Sequence, residues 1–247
     1  SVMIKLYNYI ILIIFIVFSY GCSTMDTAAV KKVDKAAVAL VGVDKHIEFS
    51  EDFELGALVQ RLAQDDKFDL QPIAKELHDD VFGLYAESVP FNLIPEEQVI
   101  DTESYKNFRF YNSDLKENNF KRGSNIVTVK NYKEYRTLYL NRSHRELLYN
   151  VIPAEADAMV LVGLHYKLVQ ENSMIPKVTK AKIKATLNYE VTNSKGAKIL
   201  NVNKTAKSDS NMKVVLNAGM LSPDKILPMC QEATDKVMGK MQSFIAK

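Results

Sequence analysis

The sequence predicts an α/β (α+β) domain: a mixed sheet of about five strands with helices packed on it. The order is strand, helix, strand, a variable segment with a helix, then three strands and a helix. Three observations carry this. "AAVALVGV", Ala36 to Val43, is a continuous apolar, valine-rich run of the kind that forms a central strand covered on both faces. "AKIKATLNYEV" alternates strictly, with Ala181, Ile183, Ala185, Leu187, Tyr189 and Val191 on one side and charged or polar residues on the other, which is a strand with one wet face. Two segments, beginning at Pro72 and Pro223, place apolar residues at spacings of three and four, the period of a helix lying on a core.

Ahead of the domain stands a leader. Tyr9 to Phe18 is an unbroken apolar run of ten residues, about half of the roughly 20 that a bilayer-spanning helix needs. It follows Lys5 and a plausible start at Met3, and it ends in the small residues Ser19 and Gly21, the layout of a secretory signal. Cys22 comes next. A short apolar region, a small residue and then a cysteine resembles the bacterial lipoprotein signal, although Ser19 and Tyr20 stand where such signals carry aliphatic and small residues. That resemblance implies removal of residues 1–21 and acylation of Cys22. The protein would then be held at a membrane surface by its N-terminal lipid, each buried methylene contributing about 0.8 kcal/mol. Ser23 after the cysteine implies, by the enteric sorting rule, the periplasmic face of the outer membrane rather than the inner membrane. Residues 22–35, small and polar at their start, read as a tether, and residues 36–247 as a single domain.

Without the leader the chain has 226 residues, enough for one sizeable core, with 31 basic and 30 acidic side chains. Near-neutral charge argues against a nucleic-acid binder, which normally shows a clear basic excess. Only Cys22 and Cys230 are present. If Cys22 is acylated, Cys230 has no disulfide partner within the chain, and its place in a helical stripe reads as a small buried hydrophobe.

Along the domain, "HIEF" extends the first strand, and a short helical stretch is expected around Leu55 to Ala63. In the helix from Pro72 to Glu87, Ile73, Leu77, Val81, Leu84 and Tyr85 share one face, while His78, Asp79 and Asp80 fall mostly away from it and read as solvated. "FNLI", flanked by prolines, is a short strand that completes a strand, helix, strand crossover. Residues 101–141 are distinct, with eight aromatics in 41 positions among many lysines, arginines and asparagines. Their densest part, Tyr132, Tyr135, Arg136 and Tyr139, is a candidate partner-binding surface, because aromatic and arginine side chains supply large contact areas. The opposite reading is that these rings pack an insertion onto the domain. "NIVTVKNY" hints at a strand in the same segment.

"SHRELLYNVI" opens with a capping box from Ser143 to Glu146 and predicts a short helix. "ADAMVLVGLHYKLV" follows as a strand with Val160, Val162, Leu164, Tyr166 and Leu168 on one face and His165 on the other. "TNSKGAK" is a hairpin turn with Gly196 free to take positive φ. Parity in the return strand switches between Ile199 and the pair Leu200 and Val202, which calls for a bulge near the turn. In the last helix Ser222 caps, Pro223 takes the first position, and Ile226, Cys230, Ala233, Val237, Met241 and Phe244 form the buried stripe.

This succession resembles the periplasmic α/β domain shared by the curli secretion-pore lipoproteins, the lipoprotein activators of penicillin-binding proteins, and the N-terminal domain of the Tol-system translocation protein. The residues that carry it are the leader, "AAVALVGV", the helix from Pro72, "FNLIP", "ADAMVLVGL", "ATLNYEVTNSKGAKIL" and the terminal helix. It implies an envelope lipoprotein that binds a protein partner. A pore is disfavoured, because "GSNIVTVKNYKEYRTLYL" is too charged to supply a lipid-facing hairpin.

No phosphate-binding loop, nucleophile elbow or paired-histidine zinc motif occurs, and the four histidines are scattered. The expectation is therefore a non-catalytic, cofactor-free, metal-free protein with a partner-binding role in envelope assembly or secretion. The alternatives are a hydrolase of envelope polymers and a carrier of a lipid or small ligand.

Overall fold

A computed structural model describes residues 24–49, 61–108, 126–133, 138, 140–171, 178–215 and 221–245. Cys22, Tyr135, Arg136 and Tyr139 lie outside the described residues, as do the leader and most of the stretch expected to be helical near Leu55. Positions 61–64 are helical.

The described elements are β1 (Thr24–Met25), α1 (Thr27–Val30), β2 (Lys35–Phe49), α2 (Gln71–Asp80) continued by a π-helical turn (Val81–Tyr85), β3 (Asn92–Leu93), α3 (Glu97–Ile100) and α4 (Glu103–Asn107). They continue as β4 (Ile126–Val127), α5 (Arg142–Tyr149), β5 (Ala158–Glu171), β6 (Val178–Thr192), β7 (Lys198–Lys207), β8 (Met212–Val215) and α6 (Pro223–Ile245). The fold is α/β, with an eight-stranded sheet of order β1-β7-β6-β5-β2-β3; β4 also pairs with β2 and β8 with β6. β2 runs parallel to β3 and β5, and the remaining pairs are antiparallel. β2, β3, β5, β6 and β7 are the five expected strands. β1, β4 and β8 are short additions, four residues long at most.

One face of the sheet carries Val160, Val162, Leu164 and Tyr166 of β5 beside Val191, Tyr189, Leu187 and Ala185 of β6, each pair in register. All eight are buried. α6 seats its stripe here: Ile226, Cys230, Ala233, Val237 and Met241 are fully buried, and the Tyr166 hydroxyl hydrogen-bonds Thr234 Oγ1 at 2.7 Å. The Tyr85 ring meets Tyr189 edge-on at 6.3 Å, which docks the end of the α2 segment on the same layer. The π-helical turn also shifts the expected stripe. Tyr85 is buried, but Leu84 is 43% exposed, because widening the helix by one residue per turn rotates the later positions.

Gly42 of β2 and Gly163 of β5 are cross-strand partners on the second face. A Cβ at Gly163 would lie 3.0 Å from Leu138 Cδ1, and one at Gly42 would lie 2.7 Å from Ile126 Cγ2. The two glycines form a trough into which the Ile126 and Leu138 side chains settle. The wet-face reading of β6 fails at its far end, where Asn188, Glu190 and Thr192 are buried. Asn188 Nδ2 donates to Glu190 Oε1 at 2.6 Å and Lys198 Nζ to the same oxygen at 2.5 Å, while the buried Asn188 Oδ1 has no hydrogen-bond partner.

The hairpin behaves as read. Gly196 has φ 65°, and Ile199 is the extra residue where Val191 faces Leu200 and Thr192 faces Lys198. Helix α5 begins earlier than expected: Asn141, not Ser143, is the N-cap, its side chain accepting from His144 N at 2.8 Å.

The segment read as a tether is docked from Thr24 onward. Thr24 and Met25 pair with Asn201 and Leu200, and Asp26 N donates to Ile199 O at 2.8 Å. Asp26 caps α1 by accepting from Ala29 N at 3.0 Å, and Val30 and Val33 are buried. The strap then crosses the ends of β6 and β5 and is fixed where Asp157 Oδ2 accepts from Asp34 N and Lys35 N. Two valines three residues apart behind an Asp cap supply the apolar burial that a tether lacks.

Candidate functional site

The outer edge of β2 is covered in pieces. β3 pairs with it at Lys35 and Ala36, and β4 at Val43 and Asp44. Between them the fully buried Tyr105 of α4 takes the place of a strand: its hydroxyl donates to Ala39 O at 2.8 Å and accepts from Lys133 N at 3.2 Å. A buried strand carbonyl left without a donor costs roughly 1–3 kcal/mol, so this hydroxyl helps fix where the 126–133 segment lies.

A cluster of polar side chains closes over this edge. His78 comes from α2, Glu96 from the residue before α3, and Lys130 and Tyr132 from the turn after β4. Glu96 Oε1 meets His78 Nε2 at 2.6 Å, and Glu96 Oε2 accepts from Lys130 Nζ. His78 Nδ1 lies 3.3 Å from Asp79 Oδ1, and Asp79 in turn accepts from Lys75 at 2.5 Å. The Phe82 ring stands 4.9 Å from the His78 ring, and the Tyr132 ring approaches it edge-on at 6.1 Å.

His78 is therefore not solvated as the sequence suggested. It is 6% exposed, and so is Glu96. Its position follows Ile73, Ala74 and Leu77 around the helix, so the buried stripe is wider than the apolar residues alone indicate. Asp79 is more than half exposed and fits the solvated reading.

Charge follows the geometry. The Lys75 hydrogen bond, and then His78, hold the Asp79 carboxyl below its usual range. Glu96 holds the Lys130 ammonium above its usual range. Burial first, and the nearby Glu96 carboxylate second, push the Tyr132 phenol far above its ordinary value. The Tyr132 hydroxyl makes no hydrogen bond of acceptable geometry, although the carboxylate stands close enough to act on it electrostatically.

Lys130 has φ 51°, in the left-handed region, a placement that costs a non-glycine residue roughly 1–3 kcal/mol. It lines a cleft of about 410 Å³ together with Gln71, Pro72, Lys75, His78 and Val129. Gln71 Nε2 donates to Thr128 O at 3.2 Å across it.

The cluster works first as a clamp, joining α2, the Glu96 turn and the 128–132 turn. Both His78 nitrogens face carboxylate oxygens, so neither is left as a free base toward the cleft. Toward solvent the cleft presents Lys75, paired with Asp79, and the half-exposed Lys130, paired with Glu96, together with Asp69, Pro72 and Val129, so both ammoniums already face carboxylates.

Of the residues proposed from sequence, Tyr132 is 4% exposed and belongs to this clamp, not to a contact surface. Its ring packs edge-on to His78 inside the core. Tyr105 and Tyr132 both point inward, so the packing reading holds for those two rings. No sequence signal pairs His78 with Glu96 and Glu96 with Lys130, which are 18 and 34 positions apart. His165 is buried with Nδ1 3.8 Å from Asp44 Oδ2.

Among the described residues, no three or more His, Cys, Asp and Glu side chains are grouped to hold a metal ion, and no helix is long and apolar enough to cross a membrane. No family model matches the chain, and no curated protein matches it.

Proposed function

We propose that this protein is a lipid-anchored envelope lipoprotein whose domain binds a protein partner in envelope assembly or secretion without catalysing a reaction. The observation that carries the reading is the ten-residue apolar run Tyr9–Phe18, followed by Ser19, Tyr20, Gly21 and Cys22 just ahead of the α/β domain. The anchor places the domain at the periplasmic face of the outer membrane. Partner contact is assigned to Tyr135, Arg136 and Tyr139, which fall in the sequence between Lys133, held on the Tyr105 hydroxyl, and the buried Leu140.

The test is capture of a partner from detergent-solubilised envelopes by the acylated chain and by a Tyr135→Ala, Arg136→Ala, Tyr139→Ala variant. Loss of the partner from a variant with unchanged circular dichroism and melting temperature supports the reading. Undiminished capture removes the assignment. Hot-spot side chains of these types contribute about 2 kcal/mol or more each, so the loss is large.

A hydrolase of envelope polymers has one observation in its favour, a buried histidine between two carboxylates beside a cleft. Against it, both ring nitrogens are engaged by those carboxylates. Release of soluble fragments from envelope polymer by the protein, abolished by His78→Gln, would favour the hydrolase.

A further inference from the structure

We infer that the sheet edge formed by β1 and β7 is the face that lies against the lipid bilayer. The inference rests on the anchor reading above and adds an orientation to it. With Thr24 already paired to Asn201, only Ser23 separates the sheet from Cys22, and two residues of extended chain reach about 7 Å. An acyl group on Cys22 sits in the membrane, so the β1–β7 edge is drawn to the headgroups and cannot swing away on a linker.

The chemistry of this edge suits an anionic phospholipid surface. Met25 on β1 is 51% exposed, an apolar side chain at the point nearest the anchor. Lys236 and Lys240 of α6 extend their ammoniums over the outer edge of β7, donating to Lys207 O at 3.5 Å and Thr205 O at 2.9 Å. Lys236 is also paired with Asp209 at 2.5 Å, which leaves Lys240 as the stronger headgroup contact. Ammoniums laid over strand carbonyls also block pairing with another strand, so the edge is closed to protein strands while it stays cationic toward lipid.

The sheet order fixes what faces outward. Five strand spacings separate β1 from β3 along β1-β7-β6-β5-β2-β3, roughly 24 Å at about 4.8 Å each. The His78–Glu96–Lys130 cleft and the 126–133 turn therefore stand on the edge remote from the bilayer, where a partner in the envelope space can reach them.

The experiment uses the full acylated chain in vesicles of phosphatidylethanolamine and phosphatidylglycerol that carry a headgroup spin label. A fluorophore is attached to a single introduced cysteine, at Ala28→Cys on α1 or Gln98→Cys on α3, both exposed positions. Cys230 is buried and does not take the label, and acylated Cys22 cannot. The expected result is quenching several-fold stronger at position 28 than at position 98. Mass spectrometry of the same samples reports acylation of Cys22. Acylated protein with equal quenching at the two positions overturns the orientation and leaves the anchor standing. Protein recovered in the membrane with an unmodified Cys22 overturns both.

Discussion

Substituting Gly42 by Ala tests how Ile126 and Leu138 are held on the sheet. The new Cβ would lie 2.7 Å from Ile126 Cγ2, 3.3 Å from Leu138 Cδ2 and 3.4 Å from Val127 O. Carbon atoms pack best at about 3.5–4.0 Å, so the first contact is short by close to 1 Å and Ile126 must move. Overpacking of this kind costs about 1–3 kcal/mol. Gly→Ala at a compatible φ returns about 0.4–1 kcal/mol through the unfolded chain. A net loss of about 1–2 kcal/mol follows. Ile126→Ala alone removes a side chain that is 2% exposed and costs about 2–5 kcal/mol, but it also deletes the Cγ2 atom that the new methyl would strike. The double variant should therefore be less destabilised than the sum of the two, by about 1 kcal/mol or more. Urea unfolding of the four proteins measures this directly. Additivity within about 0.5 kcal/mol would refute the contact, and with it the idea that the glycine pair is there to seat Ile126 and Leu138.

Leu187→Ala should cost about 2–5 kcal/mol, because Leu187 is fully buried under α6. Lys184→Ala, on the other face of the same strand, should change little, and equal denaturant midpoints for the two would mean that the faces are reversed. Glu96→Ala strips a buried, 2.6 Å hydrogen bond from His78 and should cost about 1–3 kcal/mol. Lys130→Ala, which removes only a half-exposed ammonium from the same carboxylate, should cost under about 1 kcal/mol, and the reverse order in thermal melts contradicts the clamp. Burial pushes the Cys230 thiol well above the usual range, so it stays protonated in the folded protein. Alkylation requires the thiolate, so Cys230 should resist iodoacetamide at pH 8 until denaturant is added; rapid native-state labelling would place it outside the core.

Strands and the last helix were legible because each buries one face with a regular period, as Leu187 and Tyr189 do against α6. Period says nothing of partners far along the chain. Asn188 and Glu190 sit on the polar side of a strict alternation, yet they are buried, on the face where Leu138 returns over Gly163, the cross-strand partner of Asn188. His78 looked solvated for the same reason: Glu96, its partner, becomes a neighbour only after β3 pairs with β2. Local geometry misled in two other places. The π-helical turn after Asp80 moved Leu84 outward, and Asn141 took the cap that Ser143 had been expected to fill. The strap was legible in principle, since Asp26 followed by Val30 and Val33 is a capped apolar turn, but its small polar composition drew the reading toward a tether. For the binding surface, composition showed that aromatic residues are concentrated in 101–141 without showing which way they point, and Tyr105 and Tyr132 point inward.

Mass spectrometry of the membrane-bound protein at its mature N-terminus tests the central claim most directly. The account predicts a chain that begins at Cys22 with two or three acyl groups attached there, and release of the Cys22→Ala variant from the membrane fraction. A membrane-bound chain that retains residues 1–21, or one whose Cys22 carries no lipid, would contradict it.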